Sequence, residues 1–141
     1  MRTETEFLNS IDARFPYADF TRGLELVDEA CSISANAAFG LVEELARLPL
    51  GVEAPVEPRL RLLAECERRM DHPLVGIIFP IAESIIRGND VPVLACKDAM
   101  GMVAQYPDQY GALNIAYFAC DDIDGVLDNE YQRVVGAWRT A

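Results

Sequence analysis

Apolar residues recur along this chain at spacings of three and four, and the in-and-out alternation of a half-buried strand is almost missing. The pattern predicts an all-α protein. Thr3-Glu4-Thr5-Glu6 has the S/T-x-x-E form of a capping box and opens a short helix carrying Phe7, Leu8 and Ile11. Phe15-Pro16-Tyr17 closes that segment, because a residue preceding proline is pushed out of the helical region. A second helix is predicted over about 20–31, with Phe20, Leu24, Val27 and Cys31 on one face and Glu25, Asp28 and Glu29 on another. Either serine of Ser32-Ile33-Ser34 can cap a third helix over about 35–48, whose stripe is Ala38, Leu41, Val42, Leu45 and Leu48.

Pro49 to Pro58 reads as an extended connection. The helix after it, from Arg59 to Met70, carries Glu57/Arg61, Arg61/Glu65 and Glu65/Arg69 at i,i+4 spacing and reads as a solvated face. Leu74 to Ile86 is apolar nearly all round, which predicts a central, buried helix kinked at Pro80. Gly88 is placed to cap it in the left-handed conformation, and Asp90 to start a helix over about 91–105. Pro107-Asp108 begins another, with Tyr110, Leu113, Tyr117 and Cys120 on one face, and a last helix over about 125–139 aligns Leu127, Tyr131, Val134 and Trp138.

Sliding the chain by 35 residues superposes Gly76 on Gly111, Ile78 on Leu113, Ala99 on Val134, Gly101 on Gly136 and Val103 on Trp138, and it also relates Cys31 to Cys66. In this period and hydrophobic pattern the chain resembles the HEAT-like α-helical repeat proteins. The resemblance implies hairpin units 35–70, 71–106 and 107–141 stacked behind N-terminal helices 1–34, and a binding surface in place of an active site. The other architecture the pattern allows is a compact irregular bundle. Either way, 141 residues with 51% hydrophobic content make one domain with an ample core.

Charge narrows the function. The net charge is −11, from 23 acids and 12 bases. That balance disfavours nucleic acid and anionic membrane, which call for clustered Lys and Arg. No stretch is apolar for long enough to span a bilayer, and MRTETEF has no signal-peptide core, so the expectation is a cytoplasmic protein whose four cysteines are buried thiols.

No cofactor is expected. The run Asp121-Asp122-Ile123-Asp124-Gly125 would put Cys120 and Tyr131 where a calcium loop needs oxygen ligands, so it reads as a helix cap. His72, the single histidine, precedes Pro73 and reads as a helix-entry residue. Lys97, the single lysine, has no phosphate-binding glycine pattern around it.

Two acidic stripes remain as candidate partner-binding faces: Glu25, Asp28 and Glu29, and, if the last helix begins early enough, Asp121, Asp124 and Asp128. Aromatic anchors beside them would be Tyr17, Tyr106, Tyr110 or Trp138. In composition the chain resembles the small acidic helical proteins that neutralise basic nuclease toxins. That likeness implies an immunity- or inhibitor-type protein with a basic protein partner; a homo-oligomer is also compatible. The alternative is a small enzyme or ligand-binding protein that uses Glu83, the carboxylate of the most apolar helix, with Arg87 as its ordinary i,i+4 partner.

Overall fold

The computed structural model describes residues 2–11, 19–47 and 55–140, and the closing Phe15-Pro16-Tyr17 turn and most of the Pro-rich connection lie outside them. The described residues form eight helices: α1 Glu4–Ser10, α2 Phe20–Ile33, α3 Ala35–Ala46, α4 Val56–Arg69, α5 Val75–Arg87, α6 Val93–Val103, α7 Tyr110–Phe118 and α8 Val126–Thr140. The all-α expectation holds, in the form of a compact bundle.

Several ends follow the local chemistry read from the sequence. Thr3 and Glu6 form the reciprocal capping box, with Thr3 Oγ1 accepting from Glu6 N and Glu6 Oε1 from Thr3 N, both at 3.1 Å. Ser34 is the serine that caps α3, accepting from Ala37 N at 3.0 Å. Gly88 ends α5 at φ +75°. Other ends differ. Asp90 caps nothing, since α6 begins behind Pro92. Helix α4 starts at Val56, so Pro58 lies inside its first turn, where its missing N–H would have had no helical partner.

The centre of the molecule is α3. Residues Asn36 to Val42 are buried without a break, and α3 packs on α1, α2, α4, α5 and α7. Helix α5, expected at the centre, is instead a one-sided surface helix. Gly76, Pro80, Glu83 and Arg87 are exposed at spacings of four, three and four, and Ile78, Phe79, Ile81, Ala82 and Ile86 face inward. Pro80 therefore sits on the outer side, and the Gly76 carbonyl it deprives of a partner belongs to an exposed residue with open space above it.

The most extensive helix packing joins α3 to α7, far apart in sequence. A Cβ at Gly111 would stand 2.6 Å from both Gly40 N and Phe39 C, so glycine is what permits the two backbones to meet. Asn36, buried beside it, accepts from Gly111 N at 3.5 Å. Gly76, which the 35-residue register superposes on Gly111, meets nothing within 4 Å.

Arg59 is the one buried charged side chain among the described residues. Its Nε and Nη2 donate to Leu45 O at 2.9 and 2.7 Å, so it closes the C-terminal end of α3 from α4. Arg59 departs from the solvated reading of this helix, whereas Glu57, Arg61 and Arg69 are exposed as expected, with the Arg61 guanidinium 4.2 Å from the Phe20 ring centroid. Glu65 forms the expected pair with Arg69 and a second one with Arg68, both at 2.6 Å.

Candidate functional site

The two acidic stripes lie on different sides of the core, with α3 and α7 between them in the packing. On α2 every carboxylate has an arginine. Glu25 pairs with Arg22 at 2.9 Å, Asp28 with Arg69 at 2.8 Å, and Glu29 takes a two-pronged grip from Arg2 at 2.6 and 2.7 Å. That grip holds the Glu29 carboxyl below its ordinary range. The stripe expected to be an open anionic face is thus largely neutralised at its own surface.

The stripe at the α7–α8 end is different. Asp122 is spent on the helix, accepting from Leu127 N and Asp128 N, both at 2.9 Å, which confirms a capping role for the acidic run. Helix α8 begins only at Val126, so Asp121 and Asp124 stand on the exposed turn before it and form no helical stripe with Asp128; neither has an ion pair among the described residues. Ile123 stands between them, 85% exposed.

Asp128, in the first turn of α8, opens onto a groove of about 300 Å³ lined by Arg47, Asn114, Tyr117, Phe118, Tyr131 and Gln132. It accepts from the Tyr117 hydroxyl at 3.0 Å and has no cationic partner among the described residues. That hydrogen bond, first among its causes, raises the Tyr117 phenol above its ordinary range. Tyr117 and Tyr131 meet edge to face with centroids 4.8 Å apart, so one wall of the groove is aromatic.

Asn114 also borders a smaller hollow of about 200 Å³ against α3, lined by Gly40, Glu43 and Tyr110. Here lies a carboxylate that sequence reasoning missed. Burial pushes the Glu43 carboxyl up, opposed by Asn114 Nδ2 donating at 3.0 Å and Arg47 Nη1 donating at 3.1 Å. Glu43 sits in a helix that reads only as an apolar stripe, and its contact with α7 reveals the burial. Glu83, the carboxylate singled out, is 49% exposed and pairs with Arg87 at 3.1 Å beside a shallow α4–α5 groove of about 340 Å³. It has the ordinary partner and lacks the burial that chemistry at that position needs.

The aromatic candidates are mainly internal. Trp138 donates Nε1–H to Ala104 O at 3.1 Å and packs edge to face on Tyr110, so it fastens α8 to the end of α6. Tyr106 packs on His72, with centroids 5.0 Å apart. Tyr17 lies outside the described residues. His72 takes the helix-entry role, its Nδ1 accepting from Leu74 N at 3.1 Å.

The cysteines stand in two facing pairs, an arrangement the linear spacing did not reveal. Cys31 and Cys66 bring their sulfurs to 3.8 Å between α2 and α4, and Cys96 on α6 faces Cys120 just beyond α7. Near that second pair, α6 leaves Val93 and Leu94 exposed, the latter by 73%. Among the described residues, no helix is long and apolar enough to cross a membrane.

In comparisons with known proteins, no family model, no curated protein and no solved structure matches this chain.

Proposed function

We propose that this chain is an acidic helical binding module that docks a basic segment of another protein at its α7–α8 end, in the manner of an inhibitor or immunity-type partner. The observation that carries the reading is Asp128, a carboxylate with no cationic partner among the described residues, at the mouth of a groove lined by Tyr117 and Tyr131, where Arg47 is already paired with Glu43. An arginine or lysine side chain entering there gains both a carboxylate and an aromatic face. Asp121 and Asp124, which have no ion pair among the described residues, add charge around Ile123, which supplies the apolar contact that charge alone lacks. The net charge of −11 assists encounter with a basic partner over a longer range.

The test is a titration with an acetylated, amidated hexa-arginine peptide followed by amide chemical shifts. Perturbations centred on residues 117–132, shrinking steeply with salt, support the reading. Asp128→Asn should weaken binding about fivefold, the loss of roughly 1 kcal/mol for one partly exposed charged contact. Perturbations centred on α2, or spread evenly over every acidic residue, contradict it.

A second reading, small-molecule binding with a helical carboxylate, now has Glu43 as its residue in place of Glu83. It is supported by the raised Glu43 carboxyl and the hollow beside it. A ligand that raises the melting temperature of the wild type and not of Glu43→Gln would favour it.

A further inference from the structure

Two thiols on different helices that approach without bonding are a distinct chemical feature, and this chain has two such pairs with contrasting surroundings. Cys66 is fully buried on α4, and Cys31 is half-buried on α2, with their sulfurs 3.8 Å apart. Only Cys31 reaches outside. It lines a cleft of about 150 Å³ together with Ser34, Arg69, Asp71 and His72, large enough to admit a small oxidant. We propose that the Cys31–Cys66 pair is a hydroperoxide-oxidisable dithiol, with Cys31 the sulfur attacked through the cleft and Cys66 the resolving thiol that closes an intrachain disulfide between α2 and α4.

The chemistry balances. The Cys31 thiolate attacks the terminal oxygen of a hydroperoxide ROOH and the O–O bond breaks. Cys31 becomes a sulfenic acid, and RO⁻ takes a proton to leave as the alcohol, or as water when the oxidant is hydrogen peroxide. The Cys66 sulfur then attacks the sulfenic sulfur, and its proton leaves with the hydroxyl as water. The two thiols together lose two electrons and two protons, which the oxidant takes up. Bonding distance is about 2 Å, so the sulfurs must approach by less than the thickness of a side chain.

The surroundings favour Cys31 as the attacking sulfur. A hydrogen bond from the Cys66 thiol favours the Cys31 thiolate and lowers Cys31, and the Arg69 guanidinium assists. Burial of Cys31 and the Asp28 carboxylate act against this. Asp28 is itself paired with Arg69. In the second pair burial, with the facing Cys120, pushes the Cys96 thiol up to about 12. That pair serves as an internal control within the same molecule.

The experiment treats the reduced full-length protein with equimolar hydrogen peroxide, blocks remaining thiols with N-ethylmaleimide, and maps peptides by mass. The expected product is a Cys31–Cys66 linked peptide that has lost two hydrogens, formed while Cys96 and Cys120 remain alkylated. Without peroxide, Cys31 should alkylate at least about tenfold faster than Cys96 at pH 7. In Cys66→Ser, dimedone should trap a sulfenic acid on Cys31. The wild-type map decides the matter even if that variant fails to fold. Four thiols all left alkylated after peroxide, or first oxidation at Cys96 or Cys120, would overturn the proposal.

Discussion

Replacing Gly111 with alanine should destabilise this protein, although alanine is the better helix former. The added Cβ would stand 2.6 Å from Gly40 N and Phe39 C and 2.9 Å from Phe39 O, and all three atoms belong to the α3 backbone. No rotamer change relieves such a contact, so the helices must separate by up to 0.8 Å to reach the 3.4 Å of ordinary contact. The crossing that would open also holds the Asn36–Gly111 hydrogen bond. Overpacking of this kind costs about 1–3 kcal/mol, with the upper end apt for backbone against backbone. The gain in helix propensity returns at most about 1 kcal/mol, so the net loss is about 1–2 kcal/mol.

In a domain of this size that loss lowers the melting temperature by roughly 3–8 °C. Gly136→Ala is the control. It sits in α8 with nothing within 4 Å of the new methyl, and should stabilise by about 0.5–1 kcal/mol. Urea denaturation of both variants gives the comparison directly. A Gly111→Ala protein as stable as the wild type, or one moving in the same direction as Gly136→Ala, would refute the close α3–α7 crossing.

Other perturbations probe the remaining joints. Arg59→Ala strips the buried Leu45 carbonyl of both donors and should cost about 2–4 kcal/mol by chemical denaturation, with Arg59→Lys recovering only part of it because an ammonium cannot reproduce the fork. Because burial raises Glu43 in the folded state, its ionisation opposes folding; that penalty is absent below the ordinary carboxylate range and sets in as pH rises through the raised value. Glu43→Gln should therefore gain stability relative to wild type between pH 4 and pH 7, and a difference that stays flat or reverses would count against the burial. His72 is lowered by burial between Phe39 and Tyr106, and its Nδ1 must stay unprotonated to accept from Leu74. Its NMR titration should have a midpoint below 6.5, with stability present above that pH and lost as pH falls through the midpoint; a midpoint at or above 6.5 would contradict the packing.

Local chemistry was the readable part of this chain. The Thr3–Glu6 box, the Ser34 cap and the Gly88 terminus depend on neighbours within a few residues, and each was legible from sequence. What misled was average hydropathy. Helix α5 is rich in isoleucine, yet Gly76, Pro80, Glu83 and Arg87 fall on one side and turn it to the surface. Helix α3 looks less apolar because Ala, Gly and Asn are interspersed among its larger apolar residues, and Gly111 lets α7 come close enough to bury it. Arg59 lies in a helix that reads as solvated, and nothing local singles out Glu43, because the carbonyls and amide that hold them belong to other helices. The same limit hid the cysteine pairs, whose members lie 35 and 24 positions apart.

The proposal of a basic partner docked at the α7–α8 end is tested most directly by a matched capture. Wild type, an Asp121→Asn/Asp124→Asn/Asp128→Asn triple variant and a Glu25→Gln/Asp28→Asn/Glu29→Gln triple variant are each immobilised and exposed to lysate of the source organism at low salt, then eluted with high salt. Each variant removes three negative charges from the −11 total, so any difference between them reports position, not net charge. The account predicts one basic protein released by salt from the wild type and from the α2 variant, and lost from the α7–α8 variant. Retention by the α7–α8 variant together with loss from the α2 variant would contradict it, as would equal recovery from all three.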